Sequence, residues 1–146
     1  MIADMEQALD ISKDKSRLDT QLICDFLGTT YWAENIPIEV VKKSIENSTC
    51  FGVYENGKQI GFARVISDLA TIAYLADVFI IPEEQGRGLG INLIKAVLKD
   101  PEFVQLRRWH LVTKDAQPLY TQCGFTSPEF PERHMEIKVL GPYIGK

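Results

Sequence analysis

Cysteine is scarce in this 146-residue chain: Cys24, Cys50 and Cys123 make an odd number, and no two form a CxxC pair. That excludes a disulfide-stapled secreted scaffold and points to free thiols in a reducing compartment. No apolar run approaches the ~18 residues that a membrane-spanning helix needs. The start, Met1-Ile2-Ala3-Asp4-Met5-Glu6, has neither the basic stretch nor the apolar core of a secretory signal. Basic charge is also short, with 16 Lys and Arg against 20 Asp and Glu. Such a chain has no surplus of cations to displace counterions from a phosphate backbone, and Arg107-Arg108 is too short to form a track, so nucleic acid is not expected as a partner. Repeats, low-complexity stretches and Gly/Ser linkers are missing too. The expectation is one globular domain over residues 1–146, cytoplasmic, with no membrane contact.

With 45% apolar residues the chain has ample material for a core. Ser16-Arg17-Leu18-Asp19 approximates a capping box, and Leu18, Leu22, Ile23, Phe26 and Leu27 form an apolar stripe, which predicts a helix from Ser16 to Gly28. A second helix is predicted from Pro37, with Ile38, Val41 and Ile45 on one face. Strands are expected over Cys50–Glu55 and Lys58–Ile66, flanking the hairpin turn Asn56-Gly57. Thr71–Ile81 is apolar on both faces, as in a central strand. A helix over Gly88–Lys99, a strand over Trp109–Thr113, a short helix over Asp115–Cys123 and a last strand over Glu136–Leu140 complete the order. That order makes a mixed α/β sheet.

The most informative segment is Gln85-Gly86-Arg87-Gly88-Leu89-Gly90, between a strand and a helix. Glycines there let a backbone approach a ligand closely, and a helix start presents unpaired N–H groups and a favourable dipole. Together they suit a pyrophosphate. A P-loop lacks its GK[ST], and the dinucleotide fingerprint fails because its third glycine position falls on Ile91.

These residues resemble the GCN5-related N-acetyltransferase (GNAT) superfamily. An apolar strand ends near a proline in Val78-Phe79-Ile80-Ile81-Pro82, the glycine turn follows, and Leu119-Tyr120-Thr121-Gln122-Cys123-Gly124-Phe125 matches the aromatic helix end that leads to Gly-Phe. Both motifs occur in order, about 30 residues apart, within a resemblance that covers about residues 15 to 140. The resemblance implies a mixed, mostly antiparallel sheet with splayed central strands and helices on both faces. It also implies acetyl-CoA as co-substrate, with the pyrophosphate on backbone N–H groups of Gly86, Arg87, Gly88, Leu89, Gly90 and Ile91, and Gln85 as a further cofactor-binding residue at the start of the turn. The pantetheine arm would then pair along Val78, Phe79 and Ile80. One departure stands out: Thr113 replaces the asparagine that many members carry seven residues before the tyrosine.

Acetyl transfer to an amine needs a neutral nucleophile, a polarised thioester carbonyl and a proton for the departing thiolate. A free backbone N–H at Phe79 or Ile80 is placed to polarise the carbonyl. Tyr120 is the candidate general acid, since a phenol with an ordinary pKa of about 10 is protonated at neutral pH; the alternative is a tyrosine anchoring the last helix in the core. Asp77 is the candidate base, acting through water. Strand alternation puts it with Leu75, Phe79 and Ile81, where desolvation raises a carboxyl pKa. Its alternative is a cross-strand pair with Arg64. Glu34 and His110 are weaker candidates, and His110 reads better as a core histidine.

Tyr31 and Trp32 follow the first helix and either wall an acceptor pocket, by stacking or cation–π contact, or pack the second helix on the sheet. Cys123 lacks an adjacent base and reads as a small helix residue. His134, with Glu132 and Glu136, lacks metal-ligand spacing, so no metal site is expected. The resulting reading is an acetyl-CoA-dependent N-acetyltransferase that acetylates a primary amine of a small molecule directly, in a ternary complex. Acetylation of a protein lysine or N-terminus, and a non-catalytic acyl-CoA-binding module, remain the alternatives. The outer edge of the last strand invites pairing into a homodimer, while Gly141 and Pro142 act to blunt it.

Overall fold

The computed structural model describes residues 9–143; Met1–Glu6, where a secretory signal was judged missing, lie outside the described residues. Five strands form one sheet in the order β1 (Leu9–Ser12), β2 (Thr49–Glu55), β3 (Lys58–Ser67), β4 (Ile72–Ile80), β5 (Arg108–His110). All neighbours are antiparallel except β4 and β5, which run parallel. Such a parallel step needs a crossover, and α3 (Leu89–Lys99) supplies it. The other helices are α1 (Thr20–Leu27), α2 (Ile38–Glu46) and the short α4 (Gln117–Thr121). This is the mixed, mostly antiparallel α/β sheet that the sequence predicts. Among the described residues, no helix is long and apolar enough to cross a membrane.

Local chemistry explains the boundaries. Asn56 and Gly57 both take positive φ, 53° and 78°, as a two-residue turn matched to strand twist requires. Helix α1 starts later than the Ser16 box suggests. The Asp14 carboxylate accepts both the Ser16 N–H and its hydroxyl, which holds Ser16 in a 3₁₀ turn. Asp19 then caps α1 by accepting the Leu22 N–H at 3.0 Å. Strand β1 was not anticipated, because four residues are too few to show an alternation.

Register assigns the faces of the sheet. Phe62 pairs with Phe79 and Cys50 with Arg64, while Phe51 pairs with Ala63 and Val65 with Leu75. One face therefore carries Cys50, Phe62 and Phe79 towards α1 and α2, where Phe26 stacks on Phe79 with centroids 4.1 Å apart. The other carries Phe51, Val65 and Leu75, and Phe103, from the 3₁₀ turn after α3, meets Phe51 there. Ile23, Leu27, Val41, Phe62, Leu93, Ile94 and Val97 are essentially inaccessible. Each such side chain contributes about 1.5–3 kcal/mol.

The last predicted strand does not form. Residues 134–139 pair with no strand among the described residues, and Met135 and Ile137 are 96% and 100% exposed. The alternation Met135, Ile137, Val139 that predicts a half-buried strand is real in the sequence, but a strand also needs an edge to pair with. Neither edge of the described sheet takes it.

Candidate active site

The glycine turn is built as a cradle. Gly86 and Gly88 take φ of 84° and 76°, a region that costs an L-residue roughly 1–2 kcal/mol. Gly88 caps α3 with no side-chain partner, so the N–H groups of Leu89, Gly90 and Ile91 in the first turn face outward unpaired. A Cβ added at Gly86, Gly88 or Gly90 would meet nothing within 4 Å. The openness at Gly90, whose φ does not demand glycine, leaves room for a ligand rather than for packing. Gln85 ties the turn to the strand by donating its amide to the Ile80 carbonyl at 2.9 Å. Arg87 is held by Glu55 and Glu84, each at 2.7 Å, and both carboxylates drive its pKa upward. Its charge is largely neutralised, which leaves the backbone to meet an anion.

Immediately before the turn, β4 parts from β5. The two strands pair only over Ile72–Tyr74 with Arg108–His110, so residues 75–80 have no ladder partner on that side. The cause lies at Asp77. Pairing between β3 and β4 steps from Phe62↔Phe79 to Arg64↔Ala76, so β4 carries one extra residue, and Asp77 there takes φ 55°. A bulge of this kind bends and twists its strand. Val78, Phe79 and Ile80 lie in the diverging stretch, with Phe79 and Ile80 buried on opposite faces.

The bulge corrects the predicted alternation: Asp77 does not share a face with Leu75. Leu75 pairs with Val65, whereas Asp77 reaches Arg64 on the Phe62 side. Both Asp77 oxygens are engaged. Arg64 donates from Nε to Oδ2 at 2.8 Å, and Trp32 donates from its indole to Oδ1 at 2.9 Å. Arg64 also donates to the Ser48 hydroxyl at 3.0 Å. The cross-strand partner considered for Asp77 is thus the one it has.

The same hydrogen bond brings Trp32 to the β4 bulge. Tyr31 packs edge-on against Trp32 at 5.1 Å, accepts the Lys114 N–H on its hydroxyl at 3.0 Å, and lies under the Lys114 ammonium. The Tyr31 segment is thereby joined to the loop before α4, which carries Tyr120. Burial pushes the Tyr120 phenol up to about 12, with smaller contributions from Cys123 and Tyr31. Thr113 accepts the Ala116 N–H on its hydroxyl and so shapes the entry to α4. Hydrogen bonds and ring contact thus link Tyr31, Trp32 and Asp77 to the loop that leads into α4, the helix that carries Tyr120.

Some neighbours were not singled out by sequence reasoning. Tyr74 packs beside His110, with centroids 5.6 Å apart, and His110 stacks on His134 at 5.5 Å. Burial lowers the His110 pKa, and His134 and Arg108 add to the shift. Only pairing register places Tyr74 next to His110, so no sequence signal flagged it. His110 is half-buried at the sheet margin, outside the core. No group of three or more potential metal ligands occurs among the described residues.

Comparison with known proteins decides the family. A model of the acetyltransferase (GNAT) domain matches residues 46–127, which contain the hairpin, the bulged strand, the glycine turn and α4. The chain belongs to the GNAT acetyltransferase family. A provisionally assigned GNAT-family acetyltransferase of Xanthomonas campestris pv. campestris is 47% identical, superposes with a TM-score of 0.90, and is matched over 93% of this chain and 96% of its own. The uncharacterized N-acetyltransferase ycf52 of Gracilaria tenuistipitata var. liui is 35% identical over 76% of this chain, which spans 63% of that relative's length. An acetyltransferase structure from Clostridium acetobutylicum, described with acetyl-CoA, shares the fold at a TM-score of 0.66 and 14% identity, matched over 89% of this chain and 96% of its own. This acetyltransferase therefore carries the two family motifs on the elements described above.

Proposed function

We propose that this acetyltransferase moves an acetyl group from acetyl-CoA directly to a primary amine of a small molecule, both substrates being bound together. The observation that carries the reading is the continuity of two features. Residues 75–80 of β4, unpaired on the β5 side, lead through the single 3₁₀ turn Pro82–Glu84 into a glycine turn with free N–H groups and open space. An extended amide-bearing arm suits the first, since it can pair as an added strand, and a pyrophosphate suits the second. The acetyl-CoA described with the Clostridium acetobutylicum neighbour supports the same assignment.

The thioester supplies an activated acyl group with a thiolate leaving group. In this proposal Gly86 to Ile91 hold the phosphates through backbone, Gln85, whose own N–H is donated to the Pro82 carbonyl, braces the turn, and Val78, Phe79 and Ile80 align the arm. A backbone N–H of Phe79 or Ile80 polarises the carbonyl. Tyr120 protonates the leaving thiolate. Its phenol, pushed up to about 12 by burial, stays protonated throughout the neutral range. Asp77, assigned from sequence as a base through water, is proposed instead as a positioning residue. Its oxygens are occupied by Arg64 and Trp32, so it fixes the indole beside the acceptor. The amine then loses its proton to solvent. Tyr31 and Trp32, both largely exposed, offer ring faces to a cationic or apolar amine. Holding the amine and thioester within about 3–3.5 Å supplies much of the rate.

Calorimetric titration with acetyl-CoA tests the reading, wild type against Gly88→Glu. Binding by the wild type and its loss in the variant support the phosphate turn, after which a panel of amines is screened by thiol release. A folded wild-type protein that binds no acetyl-CoA sinks the proposal. Turnover on peptide lysines but on no small amine overturns the acceptor class alone.

A further inference from the structure

The glycine turn has few means of its own to keep its shape. Arg87 stands between Gly86 and Gly88, both at positive φ, and glycine loses more backbone freedom on ordering than any other residue. No side chain caps α3. The last backbone hydrogen bond before the turn runs from the Gln85 N–H to the Pro82 carbonyl, and the next arrives at the Gly88 carbonyl from Asn92. Side chains must therefore hold what lies between. Gln85 donates to Ile80, and Arg87 to Glu84, but both partners belong to the segment that leads into the turn. Glu55, 32 residues before Arg87, is the one side-chain partner of the turn outside that segment among the described residues.

Glu55 is a firm anchor. It ends β2, and register pairs it with Leu9 on one side and Lys58 on the other. Arg87 meets its carboxylate with both Nη atoms, at 3.1 Å to Oε1 and 2.7 Å to Oε2. Such a forked pair fixes orientation as well as distance. The guanidinium also holds the Glu55 carboxyl below its usual pKa. We propose that Glu55 is a positioning residue for acetyl-CoA, clamping Arg87 so that the glycine turn is already in its phosphate-binding shape when the ligand arrives. This rests on the acetyl-CoA reading above and names the residue that pre-forms its phosphate site. Charge alone argues the other way. Glu55 is an anion beside an anion site, so removing its charge would strengthen binding if repulsion were its whole effect. A turn that must be ordered by its ligand binds more weakly instead. The two accounts differ in sign.

Glu55→Gln keeps the shape and removes the charge. Calorimetric titration with acetyl-CoA should show affinity weakened about fivefold or more, as lost pre-organisation requires. In an Arg87→Met background the same substitution should no longer weaken binding and should strengthen it, because only repulsion is then left to remove. The pair is partly exposed, with side chains 44% and 22% accessible, so the unfolding midpoint should hardly move. In the ligand-free protein, ¹⁵N relaxation should show the order parameters of residues 86–88 falling from about 0.85 towards 0.6 in Glu55→Gln, with the strands unaffected. Equal or tighter binding by Glu55→Gln overturns the clamp. So does an equal loss in the Arg87→Met background, or a turn whose order parameters do not change. A wild-type protein that binds no acetyl-CoA instead fails the reading on which the clamp rests.

Discussion

The two halves of the proposed active site are made in opposite ways. The proposed phosphate end runs along the chain from the β4 bulge, through the 3₁₀ turn Pro82–Glu84 and Gln85–Ile91, into α3, and depends on backbone conformation: two positive-φ glycines and a helix start. The acceptor end is assembled from residues 31–32, 77 and 113–120, joined by side-chain hydrogen bonds such as Trp32 to Asp77 and Lys114 to Tyr31. A backbone site tolerates most side-chain change and is sensitive to one glycine. A side-chain site changes with any member, which is how one fold keeps its co-substrate while its acceptor varies.

Five substitutions at four positions sharpen this contrast, in descending order of effect. Tyr120→Phe should lower kcat by about 10²–10⁴, the usual contribution of a general acid, while acetyl-CoA affinity stays unchanged. An equal loss in acetyl-CoA binding would move Tyr120 to the phosphate half. The same residue fixes the alkaline side of the pH profile. An acid works only while protonated, and burial raises Tyr120 to about 12, so kcat should rise as the amine deprotonates and show no falling limb below about pH 10. Asp77→Ala breaks a largely buried ion pair and puts a less tolerant residue at φ 55°, so thermal or denaturant unfolding should show about 3 kcal/mol lost. Asp77→Asn, which keeps the Trp32 hydrogen bond and tolerates that φ, should lose less and retain turnover; abolished turnover in a well-folded Asp77→Asn protein would restore the role of base.

Gly88→Glu should weaken acetyl-CoA binding at least tenfold, from like-charge repulsion added to a backbone cost of about 1–2 kcal/mol. Its amine selectivity, measured at saturating acetyl-CoA, should not change. Trp32→Phe removes the hydrogen bond to Asp77 and keeps a ring. It should raise the amine KM a few-fold with little change in kcat, and an unchanged KM would place Trp32 in packing alone.

Much of this was readable along the chain because it is local. Asn56-Gly57, Pro37, Gly28 and the turn Gln85–Gly90 act through φ preferences and capping, which depend on a few neighbouring residues, and the structure places elements where those signals stand. The errors share a cause as well. Asp77 was put on the Leu75 face because alternation assumes an uninterrupted ladder, and a one-residue bulge, visible only in pairing with β3, turns it over. Ser16 lost the cap of α1 because the Asp14 carboxylate took its N–H and hydroxyl first. The last strand was predicted from a sound pattern, but pairing is a property of two segments.

The sequence by itself determined the family, the layered sheet and helices, and the glycine turn, because glycines at fixed spacing and apolar periodicity act on the chain within a few residues. Tertiary structure alone decided that Asp77 meets Arg64 and Trp32, that Tyr31 joins the loop before Tyr120, and that residues 135–140 pair with no edge among the described residues. Those outcomes depend on register and on which distant segments come within the ~3 Å of a hydrogen bond. No spacing along one strand of sequence encodes that distance.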